Sequence, residues 1–136
     1  MELVAVEYDN DSIDTAYELT IKMLKDNPDI AGFICCNMSN PVGAARAVTE
    51  LGSNAVIVGM DHDQDALRYL KDGIIYCLGV QDCYSIGFDT LQVAVKIADG
   101  HLPGDLFPDK TDESTTIIYQ EDAVPMLEIL YGDISQ

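Results

Sequence analysis

Three side chains stand out because each closes an apolar, strand-like run with a hydrogen-bonding group: Asn37 after Ala31 to Cys36, Asp61 after Ala55 to Gly59 and Met60, and Gln81 after Ile75 to Val80. A fourth run, Glu2 to Tyr8, ends in the same way at Asp9. Two amides and a carboxylate supply mixed donors and acceptors, the set that an uncharged, polyhydroxylated ligand such as a sugar requires. In an open parallel α/β sheet the carboxyl ends of the strands share one edge, and ligands bind in the crevice outside it. His62, in the turn after the third run, and Asp11, in the turn after the first, are further candidates for ligand contact. Asp9 and Asn10 read as helix caps.

Other chemistries are poorly supplied. Asp61-His62-Asp63-Gln64-Asp65 imitates the start of a calcium loop, with Asp72 where its twelfth ligand would be, but the sixth position is Ala66 and the sharp turn there needs glycine. Caps and first-turn partners for the helix dipole account for the same acids. Cys83, Ser39 and Ser85 lack a nucleophile elbow or a catalytic cysteine signature, so no enzyme is expected. No glycine-rich phosphate loop follows the first run, and no cofactor is implied. The four cysteines show neither C-x-x-C nor paired zinc spacing. Cys35, Cys36 and Cys77 read as small buried hydrophobes inside strands, and Cys83 as an exposed thiol. His101, after Gly100, reads as a surface histidine.

The elements that must position the three rim residues repeat with a period of about 22 to 30 residues, the length of a βα unit. Ile13 to Leu24 keeps helical spacing until Asn27-Pro28-Asp29. Pro41 to Leu51 is a helix with Asn40 as its cap and Gly52 at its left-handed end. Asp65 to Lys71 and Ser85 to Ala98 complete the third and fourth units, each closed by an Asp-Gly pair. Leu102 to Pro108 is incompatible with regular structure, Ser114 to Tyr119 is a β-branched strand candidate, and Ala123 to Tyr131 a last helix. Strands this apolar predict a doubly wound, mostly parallel sheet covered by helices on both faces, with right-handed crossovers that bring every strand-to-helix turn to one rim.

Composition sets the outer limits. The 136 residues fit one domain, and 48% hydrophobic content suits a globular α/β fold. A formal charge of −17 repels phosphate backbones and anionic lipid, which excludes nucleic acid as a direct partner. The acids are dispersed, as on a solvated surface. No apolar run approaches the ~18 residues of a membrane span, and Met1-Glu2-Leu3 lacks the basic start of a signal peptide.

The ordered set Asn27-Pro28-Asp29-Ile30-Ala31-Gly32-Phe33-Ile34, Asn37, Gly43-Ala44, Val58-Gly59-Met60-Asp61, Lys71-Asp72-Gly73-Ile74, Gln81 and Ile86-Gly87 resembles the type-1 periplasmic-binding-protein superfamily. The resemblance covers nearly the whole chain. It is similar to the C-terminal lobe of ribose/galactose-type solute-binding proteins of ABC transporters; lactose-repressor-type transcription regulators share the fold. It implies that Asn37, Asp61 and Gln81 bind sugar hydroxyls, that a second lobe closes the cleft, and that a permease reads the closed state from outside the cytoplasm. A regulator would instead be cytoplasmic and use this half for effector binding and dimerisation. Where the family usually has Asn-Asp, this sequence has Asn37-Met38, one carboxylate fewer beside the cleft. The resemblance also implies that helix 85–98 crosses to the other lobe, and that the opening βα unit of this lobe is absent, leaving a gap in the sheet. Without their cover, Phe88, Leu91, Val93, Val95 and Ile97 would invite a homodimer.

Overall fold

A computed structural model describes residues 2–102 and 115–132. The chain divides into two compact units, one of residues 1–80 with 117–136, the other of residues 81–116. The elements run α1 (Ile13–Asp26), β1 (Gly32–Ile34), α2 (Ser39–Leu51), β2 (Val56–Met60), α3 (Gln64–Lys71), β3 (Ile75–Gln81), α4 (Cys83–Ala98), β4 (Thr115–Ile118) and α5 (Gln120–Tyr131).

The four strands form one sheet in the order β1-β2-β3-β4. β1 pairs with β2 in parallel, Gly32 opposite Val56 and Ile34 opposite Val58; β2 pairs with β3 in parallel, from Ile57 opposite Ile75 to Met60 opposite Gly79, with a register shift between Ile57 and Val58. This is the mostly parallel α/β sheet that the apolar runs predict. The order advances in one direction, and right-handed crossovers then carry successive helices to the same side. Leu24, Val48, Leu67, Leu70 and Leu127 accordingly share one core with Ile57, Ile75, Leu78 and Ile118. Along the opposite face Ile34, Val56 and Val58 stand exposed.

Helix α2 makes this packing possible. Its buried residues are almost all small, from Pro41 and Val42 through Gly43, Ala44, Ala45 and Ala47 to Val48. A Cβ on Gly43 would lie 2.5 Å from Ala16 Cβ and 2.6 Å from the Ile13 carbonyl oxygen; one on Gly59 would lie 2.7 Å from Pro41 Cβ. The two glycines therefore admit α2 against the backbone of α1 on one side and against β2 on the other. On the surface the pair is clasped by Tyr17, whose hydroxyl donates to Glu50 at 2.6 Å, and by Arg46, which bonds Asp14 at 3.1 Å and lies 4.2 Å above the Tyr17 ring. Glu50 pushes the Tyr17 phenol above its ordinary range, chiefly by accepting that hydrogen bond.

Several expectations need correction. Residues 2–8 form no strand: among the described residues they pair with nothing, and Leu3, Val4, Val6 and Tyr8 are exposed. A strand exists only by its ladder, and alternating apolar character alone provides no neighbour. Helix α2 starts at Ser39, so Asn40 lies in its first turn, where its Oδ1 accepts from Cys36 N at 3.1 Å. The cap of α1 is Ser12, which accepts from Thr15 N at 3.3 Å, and that of α3 is Asp63, which accepts from Ala66 N at 2.7 Å. Cys36 is exposed, because β1 ends at Ile34 and never carries it inward. The run from Leu102 to Pro108 falls largely outside the described residues, as does Ser114.

Gly43→Ala should lower stability by about 1–3 kcal/mol through overpacking, because two of the atoms in its way are backbone. Urea unfolding checks this, with an unchanged midpoint as the contrary result.

Candidate functional site

The site grows from the turns that follow residue 8, β1 and β2. Asp9 opens the first. It is 6% exposed, and its Oδ1 accepts the backbone N–H of Asp11 at 3.1 Å and the side-chain N–H of Asn37 at 3.3 Å. The first bond closes an Asx turn, and Asn10 and Asp11 follow with φ of 52° and 61°, left-handed values that Asn and Asp tolerate better than most residues. Asp11 is exposed, and one of its oxygens accepts from Ser39 Oγ at 2.6 Å. The turn before α1 is thus stitched twice to the turn before α2.

Asn37 is half-buried and uses both ends of its amide. Its Nδ2 donates to Asp9, and its Oδ1 accepts from Asn40 N at 2.8 Å, taking up one of the free N–H groups of the first turn of α2. It therefore serves as structural acceptor and candidate ligand donor at once.

Asp61 follows β2 directly, half-buried, with φ 65°. A non-glycine residue held in the left-handed region is uncommon, and such backbone clusters at functional sites. Its N–H donates to Gly79 O at 2.8 Å, which ties the turn to β3. His62 comes next, its ring half-buried with Nδ1 enclosed and unpartnered, and its carbonyl accepts from Tyr131 Oη at 3.2 Å. Because Pro41 sits on Gly59, the first turn of α2 lies against the last residues of β2. The turn carrying Asn37 and the strand end carrying Asp61 are thereby held in one body.

Gln81 is the last residue of β3 and the first of the second unit, half-buried. Asp82 after it caps α4, accepting from Ser85 N at 3.0 Å and Ser85 Oγ at 2.7 Å; the hydroxyl bond first, then the backbone bonds, hold its carboxyl below the usual range.

Sequence reasoning assigned Asp9 to capping and missed its role as a buried junction. A signal was present. A helix has one N-cap position, and with Ser12 followed by Thr15 suited to it, an aspartate three residues earlier is left for another task. A recess of about 430 Å³ lined by Gly73, Ile75, Tyr76, Tyr119, Gln120 and Glu121 lies at the start of β3 and contains none of the rim residues. Among the described residues no group of three or more His, Cys, Asp or Glu could hold a metal ion, and no helix is long and apolar enough to cross a membrane.

The cysteines divide by burial. Burial, then the neighbouring Cys36 and Asp9, push the Cys35 thiol up to about 12, and burial also raises that of Cys77. Cys36 and Cys83 are exposed.

Residues 1–102 match the periplasmic binding protein domain family. The D-ribose/D-allose-binding protein of Pseudomonas aeruginosa is 28% identical over 105 residues, 76% of this chain and 33% of that protein. A glucose-galactose binding protein from Geobacillus stearothermophilus superposes with a TM-score of 0.82 at 26% identity, over 89% of this chain and 42% of that one. A carbohydrate transporter solute binding protein from Agrobacterium radiobacter, in complex with D-arabinose, gives 0.80 at 26% identity, over 95% and 43%. The chain spans a third of the curated relative and about two fifths of these solved chains.

Thiolate is the reactive form of cysteine. At pH 8 a chromogenic disulfide reagent should label Cys36 and Cys83 quickly and reach Cys35 and Cys77 only on unfolding; four equally fast thiols would contradict the burial.

Proposed function

Because the chain belongs to the periplasmic binding protein domain family, we propose that it is one lobe, the C-terminal one, of an ABC-transporter solute-binding protein that takes a monosaccharide. The observation that supports this best is the pairing of Asn37 with Asp61, two polar residues at neighbouring strand ends, one anchored by hydrogen bonds at both ends of its amide and the other held at positive φ. The amide of Asn37 and the backbone of Asp61 are held before any ligand arrives, which reduces the ordering that binding must impose. Asn37 would donate to a hydroxyl oxygen, and the acceptor-only carboxylate of Asp61 would accept hydrogen bonds from hydroxyl groups. Gln81, the last residue of β3, would supply the second amide of the set. His62, next in sequence to Asp61, and Asp11, which accepts from Ser39 two residues after Asn37, would shape the pocket edge.

In this reading a second lobe supplies the opposite wall, α4 crosses to it, closure traps the sugar, and the closed protein, outside the cytoplasm, is read by the transporter's permease. The named relatives bind ribose, allose, glucose, galactose or arabinose, so an aldose is the expected class. No nucleic-acid partner is proposed, and the relatives named here favour transport over the regulator alternative.

Thermal shift of the full-length protein against D-ribose, D-allose, D-arabinose, D-glucose and D-galactose tests the reading. A sugar at 100 times its Kd should stabilise by about 2.7 kcal/mol, and Asp61→Ala or Asn37→Ala should remove most of that gain. A flat response to every sugar would sink the ligand class.

A second property follows from α4. None of its residues is buried, and Tyr84, Phe88, Leu91, Val95 and Ile97 are exposed along it. For the 136-residue chain by itself we propose a homodimer through this helix. Light scattering should give a dimer that high salt strengthens, since two copies of charge −17 repel. Leu91→Glu with Val95→Glu should return a monomer; a wild-type monomer at high salt contradicts the proposal.

A further inference from the structure

We propose that Asp9 is a positioning residue of the sugar site, a group that together with the Asn40 N–H fixes which edge of the Asn37 amide meets the ligand. The inference rests on the reading of Asn37 as a ligand contact.

Asp9 is not required as a helix cap, since Ser12 fills that position. It is nevertheless 6% exposed, and its Oδ2 is buried without a partner. An unpaired buried carboxylate oxygen opposes folding. A purely structural Asx turn would be satisfied by asparagine, or by serine in weaker form. What distinguishes the aspartate is its lack of any donor. Asn37 presents Nδ2 to Asp9 Oδ1 at 3.3 Å and Oδ1 to Asn40 N at 2.8 Å. Turning the amide over would set oxygen against carboxylate oxygen and N–H against N–H. Both contacts then forbid the flip, and Asp9 forbids it from the side that also anchors the turn before α1.

The consequence is chemical. With one N–H given to Asp9 and one oxygen lone pair to Asn40, Asn37 keeps a single N–H and one lone pair for a ligand, in a fixed arrangement. Without Asp9 only the Asn40 N–H opposes the flip, so the reverse arrangement becomes more populated and the site discriminates less between epimeric hydroxyls. Asp9 therefore acts on affinity and selectivity without touching the sugar.

A double-mutant cycle in the full-length protein tests this, with calorimetric titration of D-ribose, D-allose, D-arabinose, D-glucose and D-galactose at a temperature well below every variant's melting point. Asp9→Ala should weaken binding about tenfold, the scale of one charge-assisted hydrogen bond, and narrow the gap between ribose and arabinose. The double variant with Asn37→Ala should bind no more weakly than Asn37→Ala alone. Asp9→Asn keeps an oxygen that can accept both N–H groups but adds a donor that a turned Asn37 could meet, so it should recover much of the lost affinity while leaving the ribose–arabinose gap narrowed. If Asn37→Ala binds like wild type, the ligand role of Asn37 fails and this inference with it. If Asn37→Ala weakens binding while Asp9→Ala does not, or if the two effects add, only the role of Asp9 falls. Should Asp9→Ala not fold, the wild type still decides: the two Asn37 side-chain N–H resonances, identified by their loss in Asn37→Ala, should differ widely in shift and solvent exchange, and a freely exchanging pair overturns the proposal.

Discussion

The close approach of helix α2 to two neighbours at once is the constraint on which the rest depends. A helix with side chains of ordinary size on both inner faces would stand off from α1 and from β2. Here Gly43 removes the obstacle towards α1 and Gly59 removes it towards α2 from the strand side, with Ala44, Ala45 and Ala47 keeping the inner surface thin. Interiors are packed at crystal-like density, so a gain of even one methyl at such a contact must be absorbed by backbone movement. The tight seam also sets the height of α2 along β2, which determines where its first turn stands relative to the strand end.

That placement makes the rim a structure rather than a set of loops. The turn before α1 and the turn before α2 are linked by Asn37 to Asp9 and by Ser39 to Asp11, both helix starts being held in place by the α1–α2 contact. The strand end carrying Asp61 joins through Pro41 on Gly59 and through the Asp61 N–H to Gly79. The polar groups are therefore oriented by a packed core beneath them, the arrangement in which binding demands least reorganisation. Left-handed residues at Asn10, Asp11 and Asp61 are the local strain that such over-determined turns sustain.

Electrostatics fits a neutral ligand better than an anionic one. Arg46, Arg68 and Lys71 are each engaged with an acid, Asp14, Asp65 and Asp72, on or beside the helices. The turns of the first unit themselves carry Asp9, Asp11, Asp61 and Asp63. Surface ion pairs of this kind add little stability, but they leave the rim acidic, and the whole chain repels phosphate-bearing molecules.

The sequence by itself determined the βα alternation, the mostly parallel sheet and the three strand-end polar residues, because periodicity and turn chemistry are local properties that survive in any tertiary context. It placed α1, α2, α3 and α5 within a few residues of their observed limits, and it singled out Asn37 and Asp61 as candidates from their place after apolar runs. Other features were decided only by tertiary structure, each for a non-local reason. Residues 2–8 have strand character and yet no ladder, since pairing needs a neighbour that alternation cannot supply. Cys36 faces solvent because β1 stops at Ile34. Asn37 replaces Asn40 as the acceptor at the start of α2 because the helix begins earlier than Pro41 suggested. Asp9 becomes the buried junction of two turns because Asn37, 28 residues away in the chain, is brought to it by the packing of α2 on α1.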